Sequence, residues 1–330
     1  MTDPLARVTP VVRLAPAKLN LTLAVLGRRR DGFHDLHSVM VPLALADRLS
    51  LAVAPPERGA SDSLHVEGFD AGPPADNLAL RAVGEARLAV GGDWPGGPGP
   101  VPPLSLRLEK RIPVAAGLGG GSSDAAAALD GALEAWGAEL DTGRRTAVAA
   151  WLGSDVPFFL DGGAALIEGR GERVQRLRGV LGNPGVLLVT PSAALPTSAV
   201  FKAFADRAGR GDGSVRMTSE HLAGEVGAGL RGPDLIARAG VLAAANDLLP
   251  AATAELPGLV PFRRALFRVL GRPVGLSGSG PTLWTLYPSE DDAATAAGAV
   301  REAVAAGALP SLGDGEPAIL ATTIPEGPPR

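Results

Sequence analysis

Apolar and polar residues alternate from Leu19 to Val25, where Leu19, Leu21, Leu23 and Val25 are separated by Asn20, Thr22 and Ala24. A period of two predicts a half-buried β-strand. Its pleat places Lys18, Asn20 and Thr22 on the face opposite the leucines. A basic turn between Gly27 and Gly32 follows, and further alternation predicts strands at 48–53 and 104–108. The intervening stretch 91–103, GGDWPGGPGPVPP, fits neither a helix nor a central strand and reads as an exposed loop.

The pattern changes at Pro113. PVAAGLGGGSSDAAAALDGALEAWG joins a glycine turn to a helix, with Ser122, Ser123 or Asp124 as the expected cap. A second helix at 142–152 leads into GSDVPFF, a polar island around Asp155 beside aromatic residues. Glycine and arginine crowd 168–178, which places the domain boundary there, with one domain over 1–170 and another over 171–330. Strands are expected at 186–189, 282–287 and 318–323, with an Ala-rich helix between the last two. A further helix is expected at 233–245, with Pro233 in its first turn. Mixed helices and strands without a repeat give an α+β chain.

Composition narrows the function. The 330 residues carry 31 Lys+Arg and 35 Asp+Glu, a net charge of −4, against the basic surplus that a nucleic-acid partner requires. Hydrophobic residues make up 46% and charged residues 20%, as in a globular chain with room for two cores. No apolar run approaches the ~20 residues that cross a bilayer. Arg7, Arg13 and Lys18 interrupt any signal-peptide core, so a cytoplasmic protein without a membrane partner is expected. The absence of cysteine excludes disulfides and thiolate nucleophiles, and His34, His37, His65 and His221 lack metal-ligand spacing. Lysine is rare: Lys18, Lys110 and Lys202 stand among 31 basic residues, a hint that a compact ammonium is needed at those positions.

The strongest chemical feature is Pro113–Ser123. Successive glycines let backbone N–H groups converge on an anion, and a helix start adds its free donors and dipole. Taken alone, the run reads equally as a flexible loop capped by serine. It is not a Walker A loop, because the chain contains no Gly-Lys pair, and it matches GxGxxG only in part. A second glycine cluster, GLSGSG at 275–280, is by itself a tight turn; paired with the first it reads as a second loop over a substrate. Asp155 fits a general base or a helix-end carboxylate. Lys18 fits a functional cation or a snorkelling strand-end lysine. Phe33 and His34, in DGFHDLHS, fit turn and core positions.

In chain order, PAKLNLTLAVLGRRRDGFHDLHS, EKRIPVAAGLGGGSSDAAAAL, GSDVPFFL, LPTSAVF, NDLL and GLSGSGPT together resemble the GHMP kinase superfamily of ATP-dependent small-molecule kinases. The resemblance runs from about residue 15 to the C-terminal strands. It implies a two-domain α+β fold, with an N-terminal domain like ribosomal protein S5 and a ferredoxin-like C-terminal domain. The loop has extra glycines before its serine pair, whereas homoserine and mevalonate kinases usually have a shorter GLGSSA. This is similar to the superfamily's branch that phosphorylates the 2-hydroxyl of a cytidine diphosphate-linked methylerythritol in non-mevalonate isoprenoid synthesis. The alternatives are a homoserine- or mevalonate-type kinase and a non-catalytic sensor that retains the fold.

The resemblance implies ATP and Mg²⁺ and a set of site residues. Asp155 would be the general base, with Lys18 as the cation beside it and Asn20 holding substrate. Phe33 would stack on cytosine, His34 would bond its edge, and Thr197 and Phe201 would line the substrate side. Pro113, Val114, Ala115, Ala116, Gly117, Leu118, Gly119, Gly120, Gly121, Ser122 and Ser123 would bind the ATP phosphates, with Ser123 toward Mg²⁺. Asn77 and Lys110 would lie near the nucleotide, and Gly278 and Ser279 would support from the second domain. Three departures stand out: Phe33 where the family usually has Tyr, the long Pro-rich stretch at 91–103, and Pro281 after the GLSGSG run.

Overall fold

The computed structural model describes residues 10–54, 61–91, 95, 100–207, 211 and 213–327, so most of the loop expected at 91–103 lies outside the described residues. The chain forms two compact units by alternating between them. The first comprises the chain up to Pro16 with 46–114 and 120–160, and the second comprises 17–45, 115–119 and 161 onward.

In the first unit Leu104–Lys110 pairs in parallel with Ser63–Gly68 and antiparallel with the stretch 48–53. Its alternation turns Leu104, Leu106 and Leu108 into a core that also holds Leu49 and Leu51. Helices Leu78–Val90, Gly120–Trp136 and Thr142–Leu152 add Ala79, Ala82, Ala86, Ala125, Ala128, Ala132 and Ala149 to that core. Small side chains let helix backbones approach closely, and at Gly131 an added Cβ would lie 2.5 Å from Leu51. Asn77 and Asp141 cap two of the helices, accepting from Ala79 N and Arg144 N at 2.9 Å each.

The glycine-led helix starts at Gly120, so the expected caps Ser122, Ser123 and Asp124 lie inside the helix and not ahead of it. Glycine permits this early start. A Cβ at 120 would sit 3.0 Å from Ile112 Cγ2 and 3.2 Å from Lys110 Nζ.

In the second unit, the first half of the strand His34–Val53 pairs antiparallel with Ala24–Arg28 and Ala165–Gly169. A separate antiparallel sheet has the order Gly275–Leu276, Leu283–Tyr287, Gly185–Thr190, Ala318–Thr323. Gly185–Thr190 is buried along its whole length, as a central strand should be. Val200, Phe204, Leu259, Phe262, Leu266, Ala297 and Val300, from the helices Thr197–Arg207, Leu259–Leu270 and Glu290–Ala305, belong to the same core as Leu187 and Leu283.

Two expected elements are divided. The run 19–25 is split between Val11–Asn20 and Ala24–Arg28, and it is buried on both faces. The ladder breaks because the Val39 N–H donates to the Thr22 hydroxyl at 3.0 Å, while Leu23 bridges to Asn246 instead. The helix expected at 233–245 becomes Gly232–Ala237 and Ala239–Leu242. Arg238 separates them at φ −89°, ψ −3°, where its guanidinium donates to the Asp234 carbonyl at 2.6 Å and pairs with Glu225. Strands occur at 48–53, 104–108, 186–189 and 318–323 as expected, and at 283–287 within the expected 282–287. Among the described residues, no helix is long and apolar enough to cross a membrane.

Gly185 tests the packing of the central strand. A Cβ there would meet the carbonyl oxygen of Ser289 at 1.9 Å, the residue whose side chain caps Glu290–Ala305. Gly185→Ala should therefore destabilise the protein by about 2 kcal/mol through overpacking against backbone. Urea unfolding would measure it, and wild-type stability would show that the strand has room.

Candidate active site

The second unit gathers several of the sequence-derived candidates around two glycine loops. Lys18 ends a strand, 4% exposed, and donates to Asn20 Oδ1 at 2.5 Å. A Cβ at Gly278 would lie 3.3 Å from Lys18 Nζ, Asn20 Oδ1 and the Gly117 carbonyl, so these four residues meet at one point. Gly278 has φ +58°, which glycine adopts without strain. The loop 115–119 is fastened there by three bonds. Lys18 N donates to Leu118 O at 2.9 Å, Ser277 Oγ to Gly117 O at 3.0 Å and Thr282 N to Ala116 O at 3.3 Å. At Gly117 (φ +76°) a Cβ would come 2.4 Å from Ser277 O, which makes glycine obligatory.

Asn246 supports this loop from below. Its amide donates to Leu276 O at 3.1 Å and Gly278 O at 2.8 Å, and its oxygen accepts from Leu248 N at 2.9 Å. Ser279 is buried and shares a hydrogen bond of 2.9 Å with Thr197 Oγ1. The only sequence signal for Asn246 is its place in NDLL, because its partners lie some thirty residues away.

Phe33 and His34 divide into one exposed and one buried ring. Phe33 is 47% exposed, and the Arg170 guanidinium lies 5.0 Å from its ring centroid. His34 is 8% exposed, stacks on Phe201 at 5.3 Å and meets Phe204 edge-on at 6.0 Å. Its buried Nε2 has no protein partner. Burial, aided by the Arg28 charge, holds the imidazole below its ordinary pKa, so the neutral ring is favoured at neutral pH.

In the first unit Asp155 occupies the N-cap position of the short helix Val156–Phe159 but makes no capping bond, so capping is not its role. Gly120, Gly121, Ser122 and Ser123 form the first turn of their helix, where the N–H groups lack intrahelical acceptors. The Ser123 hydroxyl is buried without a partner. Asn77 spends its side-chain oxygen on the helix cap. Lys110 is 4% exposed behind Gly120 and pairs with Asp124 at 2.7 Å and with Asp47. Asp47 also accepts from Arg111 N at 2.5 Å and Ile112 N at 2.8 Å. Its part in this triad carries no sequence signal.

No group of three or more His, Asp or Glu among the described residues could hold a metal ion. An Mg²⁺ carried by nucleotide phosphates needs only one or two protein oxygens, and the orphaned Ser123 hydroxyl fits that requirement.

Both the loop and the fold are those of a GHMP kinase. The description "GHMP kinases N terminal domain" matches residues 77–163, and "GHMP kinases C terminal" matches 230–306. The chain is 37% identical over 282 residues to 4-diphosphocytidyl-2-C-methyl-D-erythritol kinase of Pelotomaculum thermopropionicum, covering 84% of this chain and 88% of that protein. It is 40% identical over 295 residues to the kinase of that name from Methylorubrum extorquens strain PA1, covering 88% and 94%. A crystal structure of 4-(cytidine 5'-diphospho)-2C-methyl-D-erythritol kinase superposes with a TM-score of 0.66 at 34% identity, covering 95% of this chain and 98% of the other. The chain belongs to the 4-diphosphocytidyl-2-C-methyl-D-erythritol kinase family.

The buried triad makes a pH prediction. Desolvation raises Asp124 from 3.8 to about 7, against the opposing pull of Lys110. Between about pH 4 and pH 7 the folded state therefore binds more protons than the unfolded chain, and this group's contribution to stability falls as pH rises through that window. Asp124→Asn should flatten this fall. Urea midpoints of both proteins at pH 5 and pH 8 measure it, and parallel profiles would exclude Asp124 as the titrating group.

Proposed function

We propose that this chain transfers the γ-phosphoryl group of ATP to the 2-hydroxyl of 4-diphosphocytidyl-2-C-methyl-D-erythritol, a step of non-mevalonate isoprenoid precursor synthesis. The kinase class and the substrate's name follow from family membership. The observation that carries the substrate reading is the pair Phe33 and His34. A half-exposed aromatic face suits stacking on a base, and a buried imidazole nitrogen without a protein partner suits the base's polar edge. A small alcohol such as homoserine or mevalonate would use neither.

In this reading Asp155 takes the proton of the attacking hydroxyl, and Lys18 offsets the charge that gathers on the transferring group. Asn20 holds the substrate, with Thr197 and Phe201 along its side. Backbone N–H groups of Val114–Ser123 receive the ATP phosphates, with Pro113 opening the loop, Asn77 and Lys110 behind it and Gly278 and Ser279 supporting. The Ser123 hydroxyl would help to hold a nucleotide-borne Mg²⁺, which would supply further charge neutralisation. Phosphoryl transfer asks mainly for such positioning and electrostatics, without a covalent intermediate. The reading includes a division near residue 170 and a cytoplasmic setting, with neither nucleic acid nor membrane as partner.

ADP release with ATP and Mg²⁺ tests the proposal, comparing the cytidylated alcohol, its uncytidylated 4-phosphate, homoserine and mevalonate. Turnover of the cytidylated alcohol alone is the expected outcome; turnover of another alcohol refutes the substrate, and ATP binding without turnover favours a sensor. Asp155→Ala and Lys18→Ala should each lower kcat by about 10²-fold or more with little change in stability. His34→Ala should raise KM for the cytidylated alcohol about tenfold and leave KM for ATP alone.

A further inference from the structure

Asn20 is a planar amide with a donor end and an acceptor end of nearly equal size, so shape alone does not decide which end faces Lys18. In the structure Oδ1 accepts from Lys18 Nζ at 2.5 Å and Nδ2 donates to Ser38 Oγ at 2.8 Å. Ser38 has a single hydroxyl proton, and it goes to the Thr22 carbonyl at 2.6 Å. With that proton committed, Ser38 Oγ can only accept toward Asn20. Only the amino end of the amide satisfies it, and the carbonyl end is left for the lysine.

The flipped amide would set its amino group against the ammonium and its oxygen against a hydroxyl oxygen whose proton points elsewhere. Both contacts would be repulsive, and water offers little relief. Lys18 is 4% exposed, Asn20 2%, Thr22 1% and Ser38 0%. Thr22 is itself anchored, since its hydroxyl accepts from Val39 N at 3.0 Å and shares a hydrogen bond of 2.8 Å with Ser219 Oγ. Ser219 Oγ in turn lies 2.8 Å from His37 Nδ1. From the other side, Gly278 presents no side chain to hold the pair.

We propose that Ser38 is a positioning residue: it fixes the orientation of the Asn20 amide and, through it, the place of the Lys18 ammonium. The catalytic consequence rests on the reading of Lys18 above, whereas the geometric claim does not.

Ser38→Ala removes the acceptor and frees the amide to turn. Its kcat on the cytidylated alcohol should fall about tenfold or more, with KM for ATP unchanged. Ser38→Thr keeps the hydroxyl and should restore most of the rate. A purely structural role is separated by a double-mutant cycle. In the Asn20→Ala background, Ser38→Ala should cost less than about twofold in kcat, because the route runs through Asn20. Wild-type kcat in Ser38→Ala, or an equal loss in both backgrounds, would overturn the proposal. Should the alanine variant fail to fold, Ser38→Cys, with a weakly bonding thiol of similar size, serves the same cycle.

A second readout needs no activity. The chain has three lysines, so protein labelled with ¹³C at lysine Cε gives three resonances, with Lys18 assigned by its loss in Lys18→Arg. The Lys18 resonance should move in Ser38→Ala while those of Lys110 and Lys202 stay. If wild-type protein does not turn over the cytidylated alcohol, the functional reading falls and this resonance still decides. A Lys18 signal unmoved by Ser38→Ala refutes the positioning role.

Discussion

An ammonium group buried at the end of a strand must have acceptors in fixed places, and much of this structure is arranged around that need. Among the described residues the chain buries two lysines. Lys110 lies between the side chains of Asp47 and Asp124 within the first unit and braces the start of a helix. Lys18 donates to the amide oxygen of Asn20, and that amide is held in turn by Ser38. In both places a buried ammonium is located by acceptors that other groups hold in place.

Backbone proximity is the second constraint. Gly117 lies so close to Ser277 that any side chain would collide, and a Cβ at Gly278 would press on Lys18, Asn20 and the Gly117 carbonyl at 3.3 Å. At Gly117 the contact is of main chain with main chain, so no neighbouring rotamer can yield to admit a Cβ. The glycines therefore matter less as flexible points than as places where two loops touch. Once touching, the loops are held by bonds to Gly117 O and Ala116 O, and Asn246 fixes Leu276 O and Gly278 O. On the proposed reading such fixing would orient the loop's N–H donors before the phosphates arrive.

Much of this was legible in the sequence, and the limits have physical reasons. Period-two alternation located strands such as 104–108 because one face is buried and the other is not. It gave the wrong burial at 19–25, where polar Lys18, Asn20 and Thr22 are as deeply buried as the leucines. Alternation reports polarity, and a buried polar face is polar all the same. Helix 120–136 began earlier than its serines indicated, because glycine in the first turn is favoured there by Ile112 and Lys110, residues of another element. The motif order marked Lys18, Asp155 and the glycine loops as candidates, and the structure brings Lys18 together with Gly117 and Gly278. Ser38 and Asp47 were not legible, and Asn246 only as part of NDLL, since each acts through partners remote in sequence.

Phe33 and His34 are adjacent in the chain, yet the strand beginning at His34 gives them opposite environments. The imidazole goes inward against Phe201 and Phe204, which removes water from one nitrogen and holds the ring neutral. Phe33 stays at the surface on a turn fixed by Arg29 between Asp31 and Asp35. A ring there needs a reason to stay flat and available, and the Arg170 cation over its face supplies one. Phenylalanine at this position carries no hydroxyl and offers only its π-face. On the proposed reading recognition divides between the two residues: stacking at Phe33 would fix the plane of a base, and the polar edge at His34 would select which base lies in it.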